Sequence, residues 1–382
     1  MNRIGIVAAR RTPQGRLLGA LAGKSAVDLA CAAGAAVLTD FGTQQVDQVI
    51  IGNVLGAGQG MNIARQIGVR LGVPIDRPAF TVNMMCASGM TAVMLAAQAI
   101  QCGAAQTVLC GGTESMSNAS YLIERARAGL KLGDGVLVDS LLRDGLVDAF
   151  DGKHMGLGAE RLAGMYRLSR AEQDAFAARS QSRCAAAMAQ GLFAAQMVSM
   201  PELAADEHPR PDTTVEKLAT LKPGFAPDGT VTAGNASGIN DGAALLLVTH
   251  EATAKKQGWP VMAWIEGFAG VGCDPATMGL GPAYATRRLC EQLKCSVNDF
   301  DAVELNEAFA AQALACIREL KLDEAKVNRE GGAIALGHPI GASGARLMVH
   351  LAHSISCGDS KRALATLCVG GGMGIAAAMR ST

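Results

Sequence analysis

From Pro78 to Thr113 the chain carries no charged residue. Asn83, Ser88, Gln98, Gln101 and several glycines interrupt this stretch, so it reads poorly as a membrane span. It reads instead as an apolar strand (Ala79–Met85), a buried helix and a second strand at the centre of a large fold. The pattern changes near residue 117. From there to about 239 the chain is more charged and carries Pro-rich stretches such as HPRPD. Within that region Ser169 is followed three residues later by Glu172, a capping-box pair. The residues to Gln190 contain neither Gly nor Pro, which predicts one long helix stopped at Gly191.

A repeat organises the rest. Residues 86–103 read CASGMTAVMLAAQAIQCG and residues 341–358 read GASGARLMVHLAHSISCG. Aligned without gaps they share Ala87/Ala342, Ser88/Ser343, Gly89/Gly344, Ala97/Ala352, Ile100/Ile355, Cys102/Cys357 and Gly103/Gly358. A Val-Asn pair precedes each (Val82-Asn83, Val327-Asn328), and an apolar run ending in Leu-Cys and glycines follows each. VDQVIIGN at 46–53 and FDAVELNE at 300–307 match more loosely. The ordered matches predict two homologous β/α halves with mainly parallel strands. The N-terminal half runs over 1–116 and is completed by about 240–260. The C-terminal half covers 261–382, and 117–239 is an inserted, mostly helical loop domain.

Composition narrows the chemistry. Of the 382 residues 49% are hydrophobic, enough for a large core, and 34 basic residues balance 34 acidic ones. No global basic excess draws the chain to nucleic acid or an anionic membrane. Eleven cysteines without a CxxC pair argue against a zinc site or a disulfide framework. Reduced thiols in a cytoplasmic compartment fit better, and the opening apolar run is too short for a signal peptide.

Four places can carry chemistry. Cys86 opens the uncharged helix, where the helix dipole and free N–H groups are expected to lower its thiol pKa. Its counterpart in the repeat is Gly341, so the halves differ where a reactive group would matter. His338 stands in the glycine-rich loop GGAIALGHPIGASGAR before the second helix, across a pseudo-twofold axis from Cys86. A Cys–His pair activates sulfur as nucleophile. Cys368 lies in LCVGGGMG, whose glycines allow close backbone approach to a ligand and offer N–H groups to an oxyanion. Its counterpart is Cys110, so a packing role for both stays open. Asn306 and Glu307 sit at a strand-to-helix junction, where a helix cap competes with function. No phosphate-binding GxxxxGK, HExxH or GxSxG is present.

Together these motifs resemble the thiolase family. CASG, NEAFA (306–310), the His338 loop and LCVGGGMG are similar to its four catalytic segments, while GTVTAGNASGINDGAA (229–244) and RTPQGRLLGALA (11–22) match further signatures. The likeness runs from about residue 3 to 380. It implies a duplicated, layered α/β/α/β/α fold and Claisen chemistry on acetyl-CoA, acetoacetyl-CoA and coenzyme A. Coenzyme A is substrate and product; no cofactor or metal is implied, and a homodimer or homotetramer is. By the same resemblance Cys86 is acylated, His338 activates it and Cys368 exchanges a proton at the substrate α-carbon. Asn306 holds a water that, with His338, polarises the thioester oxygen. The N–H groups of Cys86 and Gly370 form a second oxyanion hole. Ser237, Phe309, Arg210 and Phe225 contact coenzyme A, and His154-Met155 marks the short-chain, acetoacetyl-CoA-specific subgroup.

The chain departs from the family in CASG for CGSG, in MGLGAE at 155–160, in NREGG at 328–332, and in a shorter insertion around 195–210. Three rivals share part of the pattern. A degradative thiolase of broad chain length has the same catalytic residues. A condensing enzyme fed by acyl carrier protein resembles a Cys-His-His site, which Cys368 contradicts. A non-catalytic acyl-CoA-binding protein would have no use for all four reactive positions.

Overall fold

The computed structural model describes residues 3–382. Its centre is a ten-stranded sheet, nine strands in one continuous order and a tenth, Gly15–Arg16, paired beside them with Asn240–Asp241. One half runs Ala79–Val82, Gln48–Gly52, Thr107–Ser115, Asn240–His250, Ile4–Arg11. The other continues Ala263–Gly272, Met373–Arg380, Arg362–Val369, Ala302–Leu305. Read outward from the junction, where Ile4–Ile6 pair with Ala263–Ile265, the two halves repeat one order. Even the outermost strand has a remnant, because Val327 bridges Val303 as Val82 pairs with Gly52. The duplication in the sequence is a duplication of topology.

Side chains alternate across the strands, as strand geometry demands. Leu246 and Val248 face a core shared with the helices Ser88–Gln101 and Ile340–Ser356, which also takes Leu367, Ile375 and Ala377 from the other half. Leu245 and Leu247 face the helix Ala26–Leu38 on the opposite side. The second half is backed in the same way by Gly281–Leu293. The layers therefore run helix, sheet, helix pair, sheet, helix. Ile340–Ser356 is buried along all but His353 and Ser356, and its buried polar members are paired, Arg346 with Glu304 and His350 with Glu330. No helix among the described residues is long and apolar enough to cross a membrane.

Three expectations need correction, two of them in the sheet. The sheet is not mainly parallel: only the pairings of Gln48–Gly52 with its two neighbours and of Ala302–Leu305 with Arg362–Val369 are parallel. Parallel pairing needs a crossover helix. In the second half, Arg362–Val369 and Met373–Arg380 are instead joined directly by Gly370–Gly372, with Gly371 at φ +86° and Gly372 at φ +84°. In the first half the same antiparallel pair is kept, from Thr107↔Thr249 to Ser115↔Asp241, and the insertion replaces the turn. The second correction concerns Ala79–Met85. The strand ends at Val82 and lies at the sheet edge, with Phe80 and Thr81 exposed.

The insertion holds the helix Arg170–Ala189 between the Ser169/Glu172 capping box and Gly191 at φ +70°, as the sequence predicts. It also holds Met155–Met165, the short Val215–Ala219, and a hairpin of Tyr121–Ile123 with Leu137–Asp139 that the sequence did not announce. Much of the remainder is irregular, so the insertion is partly rather than mostly helical.

The helix pair crosses through glycines, and the strand glycine Gly112 lies against the same crossing. A methyl group on Gly112 would lie 2.0 Å from Gly341 O, and one on Gly89 would lie 2.9 Å from the same atom. In contrast, a methyl on Gly158, inside Met155–Met165, meets nothing within 4 Å. We expect Gly112→Ala to destabilise by about 3 kcal/mol or more through overpacking. Gly158→Ala should be neutral or stabilise by up to ~1 kcal/mol through helix propensity. Urea denaturation of the two variants checks the contrast.

Candidate active site

Cys86 sits on a tight turn between the edge strand and its helix. Met85 takes φ +48°, a left-handed conformation rarely adopted without a special constraint. The constraint is local: Asn83 Oδ1 accepts from Met85 N at 3.0 Å, and Ser88 Oγ accepts from Met84 N at 2.9 Å while donating to Met85 O at 2.7 Å. Ala87 has φ −85° and ψ −6° and is fully buried, so its departure from glycine costs no backbone strain.

The helix terminus does not lower the Cys86 pKa as expected. Burial pushes the thiol up to about 11, against the opposing pull of the N–H groups of Gly370 and of Cys86 itself. The negative charge of Glu114 adds to the rise. Desolvation of a thiolate here outweighs a dipole term whose reach is one turn.

His338 is held rigidly. Its N–H donates to Asn240 Oδ1 at 2.9 Å, and a methyl on Gly337, at φ +102°, would lie 2.4 Å from that side chain. Glu307 fastens the loop before it, accepting from Ser180 Oγ, Asn328 Nδ2 and Ile334 N. The ring Nδ1 is 2.6 Å from Ser343 Oγ, which itself donates to Pro339 O at 2.8 Å. The hydroxyl proton is thus committed, so Nδ1 carries the ring proton and Nε2 is left as an acceptor. Burial, then the nearby Arg346, hold the imidazole down to about pKa 4. It is neutral at pH 7 and competent as a base.

Cys368 is the penultimate residue of the strand Arg362–Val369, buried, with its thiol pushed up by burial and then by Cys86. Its repeat partner Cys110 is a core residue whose Sγ approaches Leu246 O at 3.8 Å. The sequence left open whether both cysteines pack; both do, but only Cys368 also lines the cavity described below. Asn306 is fully buried, and neither end of its amide has a hydrogen-bond partner. It is no helix cap, and neither is Glu307: the following helix begins at Ala310 with Phe309 as its N-cap.

A cavity of about 470 Å³ collects most of the predicted residues. Cys86, His338, Cys368 and Gly370 line its inner end. Ser237 lines it too, strapped by its N–H to Ala308 O at 3.0 Å. The rings of His154, Phe225 and Phe309 form one wall: His154 stacks on Phe225 at 4.7 Å, and Phe225 meets Phe309 edge-on at 6.0 Å. Arg210 lines the cavity with an exposed side chain. Met155 Cε would lie 3.7 Å, and Met85 Cε 3.5 Å, from a methyl on Gly370, so two thioethers close in on that backbone. Asn306 does not line the cavity, though its neighbours Ala308 and Phe309 do.

Sequence reasoning missed Arg16, His208 and Met278 in this lining. His208 is buried and held down to about pKa 4 by burial and by the charges of Arg210 and Arg16. It stands in the HPRPD stretch, read only as Pro-rich. It also missed Ser343, although the Ser88/Ser343 match pointed there: both hydroxyls donate to a carbonyl of the preceding turn. One group of possible metal ligands, Glu304, Glu330 and His350, lies elsewhere, and Arg346 Nη1 already meets Glu304 at 2.9 Å.

Comparison with known proteins agrees with this geometry. Residues 4–252 match the model of the thiolase N-terminal domain, and 259–381 that of the thiolase C-terminal domain. An acetyl-CoA acetyltransferase of Pseudomonas aeruginosa is 50% identical over 98% of both chains. The crystal structure of the Bacillus anthracis acetyl-CoA acetyltransferase superposes with a TM-score of 0.97 at 40% identity, over 100% of this chain and 99% of that one. Human mitochondrial 3-ketoacyl-CoA thiolase in complex with CoA gives 0.97 at 43%, over 100% and 98%. With a duplicated sheet, a cysteine and a histidine facing one cavity from its two halves, and family matches along nearly its whole length, this chain belongs to the thiolase family.

Proposed function

We propose that the protein is an acetyl-CoA C-acetyltransferase, which reversibly condenses two acetyl-CoA into acetoacetyl-CoA and coenzyme A. The observation that carries this reading is the inner end of the cavity. There a neutral His338 with Nε2 free, a protonated Cys86 and a second buried thiol, Cys368, converge beside the Gly370 N–H.

Cys86 Sγ attacks the thioester carbon of the first acetyl-CoA while His338 Nε2 takes the thiol proton. The bond to the coenzyme A sulfur breaks, and that sulfur leaves with the proton from His338. Each charge formed in the proton transfer is stabilised by the other, which offsets the desolvation that keeps both groups neutral at rest. The N–H groups of Cys86 and Gly370, already directed at the sulfur, receive the carbonyl oxygen of the acyl-enzyme. Cys368, its own proton passed to the again neutral His338, removes an α-proton from the second acetyl-CoA; the resulting carbon attacks acetyl-Cys86, and the bond to Sγ breaks as that sulfur takes the proton back from His338. Asn306, buried with its amide unpaired, is suited to hold a water that with His338 polarises the thioester oxygen. Thiolysis is the reverse, and coenzyme A is the only cofactor-like molecule required.

Ser237, Phe225, Phe309 and Arg210 bind the coenzyme A arm in this reading, with His154. Met155 and Met85 narrow the acyl end around Gly370, which favours the four-carbon ketoacyl substrate. A homodimer or homotetramer accounts for two bare surfaces. One is the open edge of Ala79–Val82, where Phe80 is exposed; the other is the hairpin region, where Tyr121, Leu132 and Val136 are exposed. Open strand edges and contiguous apolar surface mark association sites.

Initial thiolysis rates on four-, six-, eight- and ten-carbon 3-ketoacyl-CoA test the assignment. A rate confined to the four-carbon substrate and abolished in Cys86→Ala is expected; faster turnover of longer chains would make the enzyme a degradative thiolase. Ser343→Ala, which frees the imidazole tautomer, should lower kcat by up to about 10²-fold, the scale of a positioned base, with little change in KM. Light scattering coupled to size exclusion should give a mass of two or four chains, and a monomer would remove the account of the two exposed surfaces.

A further inference from the structure

Glu114 is fully buried at the end of the central strand Thr107–Ser115, and among the described residues no basic side chain pairs with it. Its carboxylate instead accepts four N–H groups. Oε1 takes Asn53 Nδ2 at 2.7 Å and Leu55 N at 3.2 Å; Oε2 takes Val54 N at 3.0 Å and Gly341 N at 2.9 Å. Gly341 lies three residues beyond His338, at the head of its helix. Val54 leads toward the nucleophile: its carbonyl accepts from Asn83 Nδ2 at 3.4 Å, and Asn83 Oδ1 accepts from Met85 N at 3.0 Å. One carboxylate oxygen thus joins the loop that ends in Cys86 to the loop that presents His338, across the boundary between the two halves. There is no slack at the joint, since a methyl on Gly341 would lie 2.7 Å from Oε2.

We propose that Glu114 is a positioning residue that sets Cys86 and His338 in register for proton transfer. The titratable groups that bear on it are Asp241, on the adjacent strand and held by Ser117, and Cys86 itself. Burial pushes the Glu114 carboxyl up to about 7 against the pull of its N–H donors. Its charge in turn raises the Cys86 thiol.

Position and charge act in opposite directions in Glu114→Gln. The amide keeps the volume but sets an NH2 group against two N–H donors, so register is lost, while removal of the charge makes Cys86 easier to ionise. Misplacement of a reacting pair on the scale of an ångström costs up to about 10²-fold. The kinetic arm rests on the acyl-transfer reading above; the labelling arm does not.

The experiment compares wild type, Glu114→Gln and Asn83→Ala in two assays. One is acetoacetyl-CoA thiolysis; the other is the pH profile of Cys86 alkylation by iodoacetamide, followed by peptide mass spectrometry. For Glu114→Gln we expect kcat to fall tenfold or more, KM to change less than about threefold, and the alkylation profile to move to lower pH. Asn83→Ala cuts the same chain of hydrogen bonds at an exposed residue and keeps the charge, so kcat should fall while the profile stays in place. A folded Glu114→Gln with wild-type kcat overturns the proposal. If Glu114→Gln does not fold, wild-type kcat in Asn83→Ala overturns it. A wild type inactive on acetoacetyl-CoA would instead count against the acyl-transfer reading, leaving the alkylation profiles to test the charge.

Discussion

The first turns of Ser88–Gln101 and Ile340–Ser356 meet backbone to backbone. Gly89 and Gly112 both lie against Gly341 O, and Gly344 packs on Met90, whose N would be 2.8 Å from an added methyl. Side chains at Gly89 or Gly344 would force the helices apart, and one at Gly112 would push its strand off the helix Ile340–Ser356. Everything functional is built outward from this contact, because Cys86 stands two residues before one helix and His338 two residues before the other. A close crossing of two buried helices is also a stiff one, since interiors pack near the density of crystals and yield little. Stiffness is what a proton transfer between groups on separate halves of a chain requires.

Burial sets the electrostatics at that contact. A thiol raised to about 11 and an imidazole lowered to about 4 are both neutral in the resting protein. A free thiolate would be reactive toward oxidants and electrophiles at all times. Here the charged pair is reached only when proton transfer is coupled to attack on a substrate, with N–H groups already in place to receive the developing negative charge. The same low-polarity surroundings that suppress ionisation strengthen those hydrogen bonds once charge appears.

The insertion supplies what the symmetric core lacks. The core repeat alone would place glycine-rich loops on both sides of a pseudo-twofold axis with little to distinguish them. The chain from residue 117 to 239 emerges where the second half has only Gly370–Gly372. It lays His154, Met155, Phe225 and Ser237 along one side of the cavity, with Arg210 and His208 farther along its wall. Its own anchorage is polar and buried: Arg11 pairs with Asp206 through two bonds of 2.7 and 2.8 Å, both side chains nearly inaccessible. Such a pair is strongly disfavoured with either partner missing, which ties this arm to the core in one place.

The sequence by itself determined the duplication, the long helix after Ser169, the helix after Cys86, and the identities of Cys86, His338, Cys368 and Asn306 as candidates. Each is a local or periodic signal: a repeat, a cap, a charge-free run, a glycine-rich loop around one reactive side chain. Other outcomes were not local. The edge position of Ala79–Val82 depends on which strand pairs outermost, and the antiparallel pairs depend on a turn in one half being equivalent to an insertion in the other. Cys110 and Cys368, alike in sequence, face opposite sides of the sheet: Cys110 packs with Leu246 in the central core, whereas Cys368 packs with Leu364 on the outer side and reaches the cavity. The high pKa of Cys86 was decided by enclosure, which outweighs the helix dipole that the sequence made visible. Glu114 carried no signal at all, because its meaning lies in four N–H groups brought together from positions 53–55 and 341, and only the folded chain makes those positions neighbours.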